Sequence, residues 1–239
     1  MKLTLVEKRG EAKGTVSFFW KPEKTVNYLA GQFFYFTLPS LKYPDPRGAT
    51  RHFTLSSSPT EGEILRNTTR IREESGYKRT LNELPVGSVI EGEGPNGTFL
   101  VDEGEKGPFV FLAGGIGITP FRSMMKFATD KKLTIPMQLI YSNSVPEEIA
   151  FRKELEELAK ANPNIKVGMT ISKPEESKEK WEGLTGRIDE ALIRKLVADV
   201  SIPIFMVSGP PAMVDAVEQV LGKLGLPAGR VRSEKFTGY

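Results

Sequence analysis

Cysteine is absent from all 239 residues, and histidine occurs once, as His52. Without thiols there is no disulfide, thiolate nucleophile, zinc–thiolate site or cysteine-held iron–sulfur cluster. One histidine leaves little room for a multi-histidine metal site or a haem pocket, so no metal site is expected. If the chain handles electrons, it needs an organic cofactor. No stretch is apolar for long enough to span a bilayer, and the N-terminus lacks the apolar core of a secretory signal; a cytoplasmic location is therefore expected. Neither sign of charge dominates: 33 basic against 30 acidic residues leave +3, too little and too evenly spread for a nucleic-acid surface. That balance still permits a modest basic face for an acidic partner.

The remaining composition, 39% hydrophobic and 26% charged, is that of a soluble globular protein. Its length suits one large domain or two small ones. Up to about residue 100 the sequence reads as short strands between turns: Lys2–Lys8, Thr15–Trp20, Gln32–Leu38, Arg51–Ser56, Ile64–Ile71 and Ser88–Gly94. One short helical piece is predicted around Arg79–Leu84. This pattern predicts an antiparallel β-barrel, here of Greek-key type, over residues 1–103.

After the polar link Asp102–Gly107 the grammar changes. Predicted strands Phe109–Ala113, Met137–Ser142, Ile165–Ile171 and Ile204–Val207 alternate with helices from Pro120, over Pro146–Ala161, over Asp189–Ala198 and over Pro211–Leu224. Phe151, Leu155 and Leu158 fall on one helical face. Such alternation predicts an α/β doubly wound parallel sheet over residues 108–239. Ligands in these sheets bind beyond the strands' carboxyl ends, where Gly114–Thr119, Ser142–Ser144, Ser172–Lys173 and Ser208–Pro211 would converge.

The most informative stretch is the apolar run from Phe109, which empties into Gly114-Gly115-Ile116-Gly117-Ile118-Thr119-Pro120. Glycines at a strand-to-helix turn let a backbone approach a diphosphate, and first-turn N–H groups supply donors and partial positive charge. In the first half, Arg51-His52-Phe53-Thr54 offers a guanidinium, a ring and a hydroxyl. Strand alternation puts Arg51 and Phe53 on one face and His52 and Thr54 on the other. Period alone thus leaves two readings level, a flavin site and a barrel strand with a surface arginine and a core phenylalanine.

Taken in order, these motifs resemble those of the ferredoxin–NADP(+) reductase superfamily over nearly the whole chain. Gly31-Gln32-Phe33, Arg51-His52-Phe53-Thr54, Gly94-Pro95-Asn96-Gly97-Thr98-Phe99 and the Gly114–Pro120 loop resemble successive family motifs. So do Leu139–Asn143, Gly186-Arg187-Ile188 and Ser208-Gly209-Pro210-Pro211. The resemblance implies an FAD-binding barrel followed by an NAD(P)-binding domain, with hydride passing from NAD(P)H to bound FAD. It places Arg51 on the FAD diphosphate, Phe53 against the flavin–ribityl region and Thr54 on the flavin nitrogen that accepts hydride, with His52 inside the same motif. Thr69, Arg70 and Ile71 correspond to the next flavin-contacting strand. Gly76, Lys78, Arg79 and Thr80 correspond to a helix start that holds the diphosphate.

For the coenzyme, the resemblance selects Gly114, Gly115, Ile116, Gly117, Thr119, Pro120, Asn143, Lys173, Ser208, Gly209 and Pro210. Thr54, Ser208 and Glu234 are implied to tune geometry and proton supply. Phe236 and Tyr239 are the candidates for a C-terminal ring covering the flavin. Two substitutions depart from the pattern: Phe53 where tyrosine is usual, and Ser208 where cysteine is frequent. NADH and NADPH stay level, since Asn143 is neutral while Lys173 and Arg187 are basic. The expected acceptor is a separate ferredoxin, flavodoxin, cytochrome or oxygenase component. Alternatives are a free-flavin or ferric reductase, and a non-catalytic flavin- and nucleotide-binding subunit of a larger complex.

Overall fold

Six antiparallel strands make up the first half: β1 (Lys2–Ala12), β2 (Thr15–Pro22), β3 (Phe33–Thr37), β4 (Thr50–Thr54), β5 (Leu65–Arg70) and β6 (Val89–Asn96). Helix α1 (Gly76–Glu83) lies between β5 and β6. The structure is a computed structural model and describes residues 1–101, 104–105 and 107–237. Strand order is β4-β3-β6-β1-β2-β5, and a bridge from Leu55 to Asn67 joins the two edges into a barrel. Period-2 alternation fills its interior: Leu3, Leu5, Phe18, Trp20, Phe34 and Phe36 are buried while Tyr35 is exposed. Trp20 shows how a ring with a polar edge is accommodated there, donating its indole N–H to Asn67 Oδ1 at 2.7 Å.

The second half holds β7 (Phe109–Gly114), α2 (Ile118–Asp130), β8 (Met137–Asn143), α3 (Arg152–Ala161), β9 (Ile165–Ile171) and β10 (Leu184–Thr185). It continues with α4 (Glu190–Leu196), β11 (Ile204–Gly209), α5 (Pro211–Lys223) and β12 (Val231–Lys235). All six strands run parallel in the order β10-β9-β8-β7-β11-β12. Central β7 is buried at every residue, as a strand covered on both faces must be. Phe109, Phe111 and Ala113 join the core with α2 and α3, and Val110 and Leu112 join the core with α4 and α5. The chain leaves β7 on one side through β8 to β10, then returns to its other side at β11. The topological switch therefore lies between β7 and β11, at their carboxyl ends.

Besides the short edge strand β10, which has no counterpart in the sequence reading, three details differ from it. Helix α1 begins at Gly76, where Ser75 caps it by accepting from Lys78 N. The helix predicted over 146–161 is interrupted, with one 3₁₀ turn at Pro146–Glu148 and α3 starting only at Arg152. Phe151 adopts a left-handed φ of 59° at that break. Such a conformation costs a bulky residue about 1–2 kcal/mol, offset here by burying the ring beneath the Arg66 guanidinium, 4.6 Å from its centroid. The third difference is β12, whose charged Arg-Ser-Glu-Lys run hid a solvent-facing edge strand.

Buried charge joins the two halves. Arg122 of α2 donates to the Ser56 carbonyl at 2.9 Å and to the carboxylates of Glu61 and Glu154. Arg66 of β5 reaches Glu11 at 2.7 Å and the same Glu154 at 3.4 Å. Burial would pull the Arg122 pKa down, but its hydrogen bonds to Glu61 and Glu154 outweigh that and raise it. Among the described residues no helix is long and apolar enough to cross a membrane.

Candidate functional site

The glycine loop sits where the topology switches. Gly115 takes a φ of +51°, a conformation glycine adopts without strain. Gly117 lies so close to β11 that a Cβ there would stand 2.2 Å from the Ser208 carbonyl oxygen. Thr119 caps the turn by donating to the Ile116 carbonyl at 3.1 Å, and Pro120 falls in the first turn of α2, where a missing N–H costs nothing. Beside this loop opens a cavity of about 360 Å³. Gly114, Gly115, Ser142, Asn143, Ser144, Ser172, Arg187 and Pro210 line it, and Arg70 enters from the barrel. A larger cavity of about 870 Å³ lies elsewhere on the interface, around Arg66, Arg122 and Glu154. Those charges already pair with one another, so the smaller cleft is the better candidate.

Ser208 and Glu234 are cross-strand partners at the mouth of the sheet, with Ala113 next in the same row. Ser208 is fully buried. Among the described residues neither its hydroxyl nor Glu234 Oε2 has a hydrogen-bond partner. Burial pushes the Glu234 carboxyl up to about 7. Unpaired buried oxygens are costly, and they mark a place where a polar group from outside the chain can bind. Phe236, two residues on, is buried and held by its N–H donating to the Gly209 carbonyl at 2.9 Å. Tyr239, the other candidate ring, lies outside the described residues.

On the barrel side the expected constellation divides as alternation requires. Thr54 pairs with Phe33, and His52 packs with Phe33 and Tyr35 on the outer face, with ring centroids 5.2 and 5.8 Å away. Phe53 points the other way. It is 3% exposed and packed in the barrel core against Phe36 and Tyr77, so its ring does not stand free on the surface as the flavin role assumed. Thr69 is fully buried in β5, Ile71 packs on the barrel core, and Arg70 forms a 2.6 Å ion pair with Glu148, both residues lining the cleft beside the glycine loop.

The seat expected for the diphosphate is already in use. Arg51 Nη2 donates to Asp45 Oδ1 at 2.5 Å, while Nη1 donates to the Arg47, Gly48 and Thr50 carbonyls. The Thr80 hydroxyl donates to the Gly76 carbonyl at 2.7 Å and accepts from Lys42 N. Gly76 faces the Pro44 and Tyr43 carbonyls, which a Cβ would meet at 2.2 and 2.5 Å. Arg79 lies over the Tyr43 ring at 3.6 Å. Lys78 is buried, and burial together with Arg72, Arg47, Arg51 and Arg70 brings its pKa down to about 7. The open cleft beside the glycine loop thus keeps its backbone and polar side chains free of such internal occupation. At the start of α1, by contrast, Asp45 already engages the donors that a diphosphate would need.

Sequence reasoning missed Asp45, which reads as turn punctuation in Pro-Asp-Pro-Arg-Gly, whereas Ser144 and Ser172, which it put among the converging strand ends without naming them as site residues, do line the cleft. Lys173, which it selected, is exposed, outside the cleft lining, and paired with Glu176 at 2.7 Å. Arg187 lines the cleft and, among the described residues, forms no ion pair.

Comparison with known proteins agrees with this geometry. The oxidoreductase NAD-binding domain family matches residues 111–219. The glycine betaine monooxygenase reductase subunit of Chromohalobacter salexigens is 29% identical over 222 residues, which are 92% of this chain and 57% of that protein. Ferredoxin–NADP reductase B of Sorangium cellulosum is 28% identical over 206 residues, 82% of each. This chain thus spans little more than half of some of its relatives. Among solved structures, a ferredoxin NADP+ reductase from Neisseria gonorrhoeae with bound FAD and NADP has a TM-score of 0.82 at 19% identity, covering 98% of both chains. With barrel, switch-point glycine loop and relatives in agreement, residues 111–219 match the oxidoreductase NAD-binding domain family, and the chain as a whole shares the fold of the ferredoxin–NADP reductase-like proteins and is similar to them in sequence.

Proposed function

We propose that this chain is an NAD(P)H-dependent flavoprotein reductase that passes electrons to a separate acceptor protein. In this reading residues 1–103 bind the flavin, residues 108–239 bind the coenzyme, and the protein works in the cytoplasm. The observation that carries it is the open cleft at the switch point, lined by the glycine loop, Asn143 and Arg187, with the buried Ser208 hydroxyl and Glu234 Oε2, unpartnered among the described residues, on the neighbouring strands β11 and β12. The flavin, when bound, supplies the chemistry: it takes two electrons and a proton from the reduced nicotinamide and returns the electrons singly or as a pair.

Each residue then has a task set by its place. The Gly114–Gly117 backbone and the start of α2 receive the coenzyme diphosphate. Ser208 and Glu234 orient the nicotinamide, and Glu234, poised near neutrality, holds or releases a proton at its carboxyl. Thr54 offers its hydroxyl to the flavin's reactive edge. Phe236 keeps water from the mouth. Arg187, with the Ser144 and Ser172 hydroxyls nearby, suits a ribose phosphate, which favours NADPH over NADH.

The test is steady-state oxidation of NADPH by purified protein, with a one-electron acceptor such as ferricyanide, with and without added FAD. Oxidation that needs FAD and slows in Ser208→Ala is the expected result. Oxidation indifferent to FAD, or none at all, contradicts the proposal. A second reading, reduction of a flavin that comes and goes, is favoured by the filled diphosphate seat.

A further inference from the structure

The anion position at the start of α1 is occupied by the chain itself. Asp45 Oδ1 accepts from Arg51 at 2.5 Å and from Arg47 N at 3.0 Å. Its Oδ2 accepts from Tyr77 N, in the first turn of α1, at 3.0 Å and from Ser75 Oγ at 3.1 Å. Ser75 takes the next donors, its hydroxyl accepting from Lys78 N at 3.3 Å and its carbonyl from Arg79 N at 3.0 Å. The Asp45 and Arg51 side chains are 4% and 8% exposed, so water does not loosen the pair. Burial alone would raise the Asp45 carboxyl, but the Tyr77 and Arg47 N–H groups, the Ser75 hydroxyl and Arg51 outweigh it and hold it at about 2. Asp45 is therefore an anion at every physiological pH.

An ionised carboxylate between a guanidinium and helix-start N–H groups uses the same interactions as a phosphate oxygen pair. Lys78 of α1 lies near Arg47, Arg51, Arg70 and Arg72, of which Arg51 pairs with Asp45 and Arg70 with Glu148. Arg51 Nη1 bonds to the carbonyls of the adjoining 47–50 turn, which hold the guanidinium in place independently of Asp45.

We propose that Asp45 is an internal stand-in for the flavin nucleotide's diphosphate, and that it determines how tightly the barrel holds FAD. The inference rests on the flavoprotein reading above. To seat its diphosphate, FAD has to displace Asp45, exchanging one set of charge-assisted hydrogen bonds for another of similar kind. The nucleotide end then adds little net affinity, and the isoalloxazine contacts dominate. The flavin is exchangeable, with FAD held little better than riboflavin, which has no phosphate.

Equilibrium titration of the full chain with FAD and with riboflavin, followed by flavin fluorescence, tests this. In the wild type the two dissociation constants should agree within about tenfold. Asp45→Ala should tighten FAD by about tenfold or more while riboflavin changes by less than about twofold. Asp45→Asn, which keeps the shape and drops the charge, should fall between. A wild-type preference for FAD beyond about tenfold overturns the inference, and that comparison stands even if the alanine variant does not fold. Weaker FAD binding in a folded Asp45→Ala, with riboflavin unchanged, also overturns it, because Asp45 would then be part of the seat. If no flavin binds to the wild type or either variant, the flavoprotein reading falls and the inference falls with it.

Discussion

The carboxyl edge of the parallel sheet and the start of α1 both present donors suited to an anion, yet one is open and the other is closed. At the sheet, glycines keep the backbone bare: Gly117 abuts Ser208, and Gly115 turns the chain. At α1 the equivalent space is taken by a turn 32 residues earlier in sequence, whose Asp45 satisfies the donors. A glycine loop makes its own cavity, because its emptiness is local. A helix start is empty only if nothing distant folds onto it. Motif resemblance alone does not distinguish the two cases.

Four substitutions break or sharpen this comparison. Gly117→Ala should have the largest effect, because its methyl group meets a backbone carbonyl that has no room to retreat. We expect a loss of about 3 kcal/mol in stability and about a hundredfold in NADPH affinity, read by thermal melting and by equilibrium binding. Arg187→Ala should lower kcat/KM for NADPH by about ten- to a hundredfold and leave NADH nearly unchanged. Equal loss for both coenzymes would remove Arg187 from phosphate recognition. Thr54→Val should slow flavin reduction in single-turnover experiments by about tenfold while FAD affinity shifts by less than about threefold. Unchanged kinetics would take Thr54 out of the mechanism.

The smallest effect concerns stability. Glu234 has its pKa raised from 4.5 to about 7 by burial, so between these values the folded state keeps a proton that the unfolded chain has released. Stability therefore falls as pH rises through that window and stays low above it. Glu234→Gln, which cannot ionise, should be about 1–3 kcal/mol more stable than the wild type near pH 8 and equal to it near pH 4.5, by denaturant melts at both.

Most of the architecture was legible because its signals are local. Six barrel strands and four of the parallel strands follow from period-2 or continuous apolar runs, and strand Ile165–Ile171 has the same ends in both readings. The helix over 146–161 misled because Phe151 supports its face only by leaving it, at a positive φ that periodicity cannot register. β12 hid behind charges, since an edge strand has one face in water. The cleft at the switch point was readable from Gly114, Gly115, Asn143 and Pro210, which lie at or just past strand ends. The barrel site was readable only in part. Alternation already sent Phe53 and Thr54 to opposite faces, but nothing near Asp45 in sequence shows that it meets Tyr77 and Arg51.

The most direct test of the account is an anaerobic visible spectrum of the FAD-loaded protein, before and after one equivalent of NADPH or NADH. The account predicts loss of the oxidised flavin band with both coenzymes, faster with NADPH. An oxidised spectrum that persists with either coenzyme, in protein shown to bind both flavin and nucleotide, would contradict it.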